Sequence, residues 1–162
     1  MDINKITAVS ESEGLQLSIA GGNYRIVISG KQTGGKFAVI EMHVPPGAGP
    51  GLHAHTDIHE SFFVLEGEVT FQSETGAYTA NENAYISIPT GGAVHGFKNT
   101  TDYPAKLLCT VMPAGLDDFF IEMDALVQSN LTENDHKEKM KALAEQYGQQ
   151  FYPEGYFSGS KQ

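Results

Sequence analysis

The sequence is poor in cysteine, in basic side chains and in long apolar runs. Cys109 is the single cysteine in 162 residues, so no intrachain disulfide can form and a cysteine-based zinc site is excluded. Leu107, Leu108 and Val111 flank it, so it reads as a buried small hydrophobe rather than a reactive thiol. Ten Lys and Arg stand against twenty Asp and Glu, a formal charge of -10. That balance argues against nucleic acid, whose phosphates need a basic face, and against an anionic membrane surface. No stretch approaches the roughly 18 apolar residues of a membrane helix. The first ten residues lack the basic-then-apolar layout of a secretion signal, so a cytoplasmic protein is expected.

What is present points to β-structure. At 162 residues and 40% hydrophobic, the chain has the size of one domain and can fill a core. Eighteen Gly and seven Pro supply turns, and nine Phe with seven Tyr suit strands. Residues 14–112 read as strands over 15–20, 24–29, 36–44, 61–65, 69–72, 85–88 and 105–112. Gly21-Gly22-Asn23, Pro45-Pro46-Gly47, Gly67 and Asn81-Glu82-Asn83 break them up. Short strands without helices between them indicate a sandwich or barrel.

The pattern then changes. Asp117 can N-cap a helix with Phe120, Met123 and Val127 on one face. Thr132, with Asp135 three residues on, opens a second helix that carries Met140, Leu143, Ala144 and Tyr147 and closes at Gly148. The tail beyond it holds Phe151, Tyr152, Tyr156 and Phe157, which are expected to dock on the barrel or on a second subunit.

Six histidines stand out in so acidic a chain. His53 and His55 are two apart, so on a strand both imidazoles face the same side. Glu60 heads the next strand and can add an oxygen, and His95 lies on a later strand. Three neutral imidazoles and a carboxylate suit a divalent first-row metal. His59 adjoins Glu60 and so points the other way, His43 reads as a pocket-wall or surface residue, and His136 as solvated. If Glu60 points inward, so do Phe62 and Val64; if His95 does, so do Phe97 and Asn99. Either Tyr85 with Ser87 or Ile86 with Ile88 joins them. The resulting interior is apolar and aromatic. Lys98, the one basic residue between 51 and 100, is turned outward, so a phosphorylated sugar finds no cation. A flat aromatic or phenolic molecule fits better.

The spacing carries more than the residues alone. Gly47, five residues, His53-Ala54-His55, four residues, Glu60, six residues, Gly67 resembles the first signature motif of the cupin superfamily in full. Pro89, Gly91-Gly92, His95, three residues and Asn99 resembles the second, with Asn83 where that motif usually opens on Gly. The resemblance spans about residues 35–115. It implies an all-β fold, a small antiparallel jelly-roll barrel over residues 1–115, with C-terminal helices and an aromatic tail over 116–162 packed on it as one domain. It also implies one divalent transition metal (Mn, Fe, Co, Ni, Cu or Zn) at His53, His55, Glu60 and His95.

Within the superfamily the chain is similar to bacterial single-cupin proteins of the quercetin 2,3-dioxygenase type. The run Glu60-Ser61-Phe62-Phe63-Val64-Leu65-Glu66-Gly67-Glu68, the segment Pro113-Ala114-Gly115-Leu116 leading to Phe119-Phe120, and the ending Tyr147-Gly148 carry that similarity. It implies a dioxygenase that cleaves a flavonol-like or other phenolic or enolic substrate with dioxygen. Glu60 would be the catalytic base, Phe62, Val64 and Phe97 would line the pocket, and Phe119 or Phe120 would cover the substrate. Another metal-dependent cupin enzyme (isomerase, decarboxylase or lyase) and a non-catalytic small-molecule binder are the alternatives. A homodimer is expected, through residues 14–30 or the aromatic tail.

Overall fold

The structure, a computed structural model, describes residues 5–159. In chain order its elements are β1 (Leu15–Ile19), β2 (Gly22–Ile28), the short helix α1 (Gly30–Thr33), β3 (Ala38–Val44), β4 (His53–His55), β5 (His59–Glu66), β6 (Glu68–Ser73), β7 (Gly76–Asn81), β8 (Tyr85–Ile88), β9 (His95–Lys98) and β10 (Ala105–Met112). Helices α2 (Leu116–Val127) and α3 (Glu133–Gln146), strand β11 (Gln149–Phe151) and a 3-10 turn (Tyr156–Ser158) follow. One sheet runs β1-β2-β3-β10-β5-β8 and the other β11-β4-β9-β6-β7. All pairings among these strands are antiparallel. The two sheets form a jelly-roll-like fold with helices at its C-terminal end.

Alternation explains the core. On β10, Ala105, Leu107, Cys109 and Val111 are buried, while the residues between them are only partly covered. On β3 the same holds for Ala38, Ile40, Met42 and Val44. Burying each large apolar side chain of this kind contributes about 1.5–3 kcal/mol. On β8, Ile86 and Ile88 turn toward the core, whereas Tyr85 is 62% exposed, which settles the choice that parity left open.

Several local expectations change. The first hairpin turns at Ala20-Gly21, and Gly22 already belongs to β2, paired with Ile19. Strand β7 pairs with β6 along its whole length, yet Ala80 is its one buried residue, so its sequence shows no alternation to read. Asp117 does not cap α2. The N-cap is Gly115, and Asp117, fully buried, accepts hydrogen bonds from the Gly115 N–H at 3.0 Å and the Gly30 N–H at 2.7 Å. It thereby ties the connection before β3 to the helix. Thr132 caps α3 as expected, accepting from the Asp135 N–H at 3.1 Å. His136 is half-buried rather than solvated, with Nε2 3.1 Å from the Ser129 carbonyl. Asn83 takes a positive φ of 68°, the conformation Gly would otherwise supply.

Helix α2 lies against β1, β3 and α3. Phe120 meets Tyr24 edge-on at 5.6 Å, and Phe119 meets Tyr147 at 5.6 Å. The aromatic tail docks on the barrel. β11 extends the second sheet beyond β4, the Tyr152 N–H donates to the Leu52 carbonyl at 2.9 Å, and Tyr152 and Phe157 cover Leu52, Ala54 and Val94. No helix among the described residues is long and apolar enough to cross a membrane.

Candidate metal centre

Three strands bring four donor groups together. β4 presents His53 and His55 on one face, and β9 sets His95 directly opposite His53. Gly96 permits this approach, since a Cβ there would stand 3.0 Å from the Gly51 carbonyl oxygen. β5 supplies Glu60 from the other sheet. One ligand atom from each of the four residues lies within 4.8 Å of the others. The rings stand close: His53 to His95 4.4 Å, His55 to His95 5.0 Å and His53 to His55 5.8 Å between centroids.

The backbone aims the imidazoles. His53 Nδ1 lies 2.8 Å from the Gly51 carbonyl, His55 Nδ1 3.2 Å from that of Ile58, and His95 Nδ1 2.8 Å from that of Ala93. A carbonyl only accepts, so each Nδ1 carries the proton and each Nε2 is left for the interior. These main-chain acceptors are the outer partners that the residue pattern could not reveal. His55 Nε2 and His95 Nε2 sit 3.0 and 3.1 Å from the same oxygen, Glu60 Oε2. Nitrogen lone pairs and a carboxylate facing one another repel unless a cation lies among them. Without metal, protons fill that role. The donor set, three imidazole nitrogens and one carboxylate oxygen, fits a divalent first-row metal.

The electrostatics agree. Burial would raise the Glu60 pKa, but hydrogen bonds from His55 and His95 and the charges of the neighbouring histidines hold it far below the usual carboxylate range. Burial opposes protonation of His55, but the bond to Glu60 outweighs it and pushes its pKa up. Burial, reinforced by His95, brings His53 down to about 4.

Cys109 proves to be more than a space-filler. It is fully buried, as expected, and its Sγ–H donates to Glu60 Oε1 at 3.3 Å. Burial first, then Glu60, pushes its pKa up well beyond the ordinary thiol value, so it is a donor and not a nucleophile. Alternation along β10 places Cys109 inward. Its contact with Glu60 depends on the pairing of β10 with β5, which local sequence does not state.

A pocket of about 290 Å³ adjoins the cluster, bordered by His53 and Glu60, by Phe62 and Phe97 from the strands, and by Phe119 and Phe120 from α2. Val64 is fully buried but packs in the core and does not border the pocket. Tyr24 and Met42, which the residue pattern did not single out, do border it. No Lys or Arg lines it among the described residues. His59 points away, to within 2.9 Å of Ser87 Oγ, and His43 lies at the surface beside Glu41 at 3.3 Å. Asn99 is fully buried, but its amide is occupied by the Val44 and Tyr103 carbonyls at 2.9 and 2.6 Å. A larger groove of about 640 Å³ runs between β6 and the tail and borders none of the four donor residues.

Comparisons with known proteins agree with this geometry. The family model described as "Cupin domain" matches residues 40–111, which contain all four donor residues. The chain is similar to a quercetin 2,3-dioxygenase from Bacillus subtilis (strain 168), 27% identical over 112 residues. That match covers 69% of this chain and 33% of the relative, so the chain spans about a third of the length of the curated relative it matches. Its structure resembles that of a predicted oxalate decarboxylase from Thermotoga maritima, with a TM-score of 0.59 and 22% identity over 66% of this chain and 99% of that one. It also resembles a sugar phosphate isomerase of the cupin superfamily from Silicibacter pomeroyi, with a TM-score of 0.58 and 22% identity over 65% of this chain and 75% of that one. These likenesses show the fold.

Proposed function

We propose that the protein is a metal-dependent cupin enzyme, a dioxygenase that cleaves a compact phenolic or enolic substrate; the match of residues 40–111 to the cupin domain model supports the first part. The observation that carries this reading is the apolar, cation-free pocket that opens directly onto Glu60 and His53. The curated relative adds support, as a protein named for a dioxygenase reaction. A phosphorylated or polyanionic substrate would find no cationic side chain in this pocket.

His53, His55, Glu60 and His95 would hold the metal. Bound there, a divalent ion supplies Lewis acidity toward a substrate hydroxyl and a means of bringing dioxygen to the substrate. Glu60 takes the substrate's hydroxyl proton, because its carboxylate borders the pocket beside the donor nitrogens of His55 and His95. Cys109 holds the other carboxylate oxygen, so Glu60 keeps one orientation while it does so. Phe119 and Phe120 border the pocket from α2 and shield it from water. Both atoms of dioxygen end in the products, and the substrate supplies the electrons, so no external reductant enters.

The test is oxygen uptake by protein loaded in turn with Mn, Fe, Co, Ni, Cu and Zn, against catechols, enediols and flavonols. One dioxygen consumed per substrate cleaved is the expected result. Turnover that proceeds unchanged without dioxygen would place the protein among cupin isomerases, decarboxylases or lyases.

We also read the protein as a homodimer. The first sheet ends in β1, which has no strand beyond it among the described residues and exposes Leu15 at 48%, and pairing such edges removes a liability. Light scattering at micromolar concentration should give twice the chain mass, and a monomer mass would overturn this.

A further inference from the structure

One polar group that borders the pocket has no hydrogen-bond partner and no part in the proposed reaction. Tyr24, on β2, borders the pocket together with Glu60 and His53. The residue is 2% exposed, and its hydroxyl is the one buried side-chain polar atom among the described residues without a hydrogen-bond partner. The ring has little freedom to relieve this. Its strand neighbours are Leu17 on β1 and Met42 on β3, and Phe120 of α2 holds it edge-on at 5.6 Å.

A phenylalanine would fill the same space without stranding a polar atom, so packing does not account for the oxygen. An unpaired buried hydroxyl is destabilising, and in a native core it calls for a reason. Burial, then the nearby Cys109 and Glu60, keep the hydroxyl protonated, so it is available as a donor. Tyr24 and Glu60 both border the pocket, Tyr24 from β2 and Glu60 from β5. At about 290 Å³ the pocket lies at the small end of ligand sites and suits one or two rings.

We infer that Tyr24 is a ligand-binding residue whose hydroxyl donates to an oxygen of the bound molecule, and that this molecule is a compact planar compound with two oxygens, one directed to the Glu60 and histidine cluster and the other to Tyr24. This rests on the reading that the cluster holds a metal and the pocket holds the substrate. It narrows the substrate class from phenols in general to catechols, enediols and similar dioxygenated rings. Monophenols fill the pocket but leave Tyr24 unpaired.

The test measures binding rather than turnover. Wild-type and Tyr24→Phe proteins, both loaded with redox-inert Zn, are titrated with catechol and with phenol by calorimetry, and their ligand-free melting temperatures are compared. The wild type should prefer catechol to phenol. Tyr24→Phe should lose about tenfold in catechol affinity with phenol affinity unchanged, the size expected for one hydrogen bond to a ligand oxygen. Its ligand-free melting temperature should be equal or higher, because no native bond is lost. Equal catechol affinity in the two proteins, an equal loss for both probes, no binding of catechol to the wild type, or a clear fall in melting temperature would each overturn the inference. Absence of oxygen uptake alongside a selective catechol loss would remove the dioxygenase reading and leave Tyr24 as assigned. Oxygen uptake with unchanged binding would do the reverse.

Discussion

Cys109 on β10 donates its thiol hydrogen to Glu60 Oε1 at 3.3 Å, while Glu60 Oε2 stands between two histidines. The carboxylate is thus held at both oxygens, and Cys109 is the sole non-histidine side chain bonded to it among the described residues. Cys109→Ala leaves Oε1 buried without a partner and opens a small void. We expect metal-free protein to lose about 2 kcal/mol in urea unfolding. Cys109→Ser keeps a donor and should recover about half of that. A thiol reagent should not modify Cys109 until the protein unfolds, since the side chain is fully buried and held neutral. Fast modification of folded protein would contradict the buried geometry.

Glu60→Gln separates holding from proton transfer. The amide can still offer an oxygen to the metal, but it brings no charge and cannot take a proton at neutral pH. Metal analysis should find a weakened but occupied site, whereas oxygen uptake should fall by at least about a hundredfold. Full activity would remove Glu60 as the base.

Protons and metal compete for the same nitrogens. His55 has its pKa raised, so it is the donor that protons block first as the pH falls, whereas His53, at about 4, stays neutral and ready. A metal needs neutral imidazole, so affinity must fall, not rise, with added acid. We expect a loss of about tenfold per pH unit once the pH is below the raised value of His55, with His53 adding to the slope only near pH 4. Chelator competition at pH 8, 7 and 6 measures this, and a flat affinity across that range would contradict it.

The four donor residues were legible through the spacing that resembles the cupin motifs, and the inward set of β5 and β9 because strand alternation has a fixed period of two. Once Glu60 and His95 face inward, Phe62, Phe97 and Asn99 must follow, and they do. What was not legible depends on partners distant in the chain. β11 is a strand because β4 lies beside it, about a hundred residues earlier. The Cys109 thiol looks apolar among Leu107, Leu108 and Val111, and only the β10–β5 pairing shows what it touches. Asp117 has the composition of a cap, yet the backbone starts the helix at Gly115 and uses the carboxylate to bind two N–H groups from separate segments. Tyr24 carries no local signal, because an orphan hydroxyl is defined by everything that fails to reach it.

The tail and Asn99 offer a contrast that separates site support from general stability. Tyr152 and Phe157 cover Leu52, Ala54 and Val94, and β11 pairs Gln149 with His55 and Phe151 with His53. The strand that bears two donor histidines is therefore backed by the tail. Tyr152→Ala and Phe157→Ala remove half-buried rings and should each cost about 1–2 kcal/mol, less than a fully buried ring. Each should also weaken metal binding several-fold, because β4 loosens. Asn99→Ala breaks the bonds to Val44 and Tyr103 and those from the Thr101 N–H and hydroxyl at 3.0 and 2.8 Å, all away from the donor atoms. It should cost more stability, about 2–3 kcal/mol, yet leave metal affinity of the folded protein within about twofold. If the tail variants and Asn99→Ala lose metal affinity in proportion to stability, the tail has no particular hold on β4.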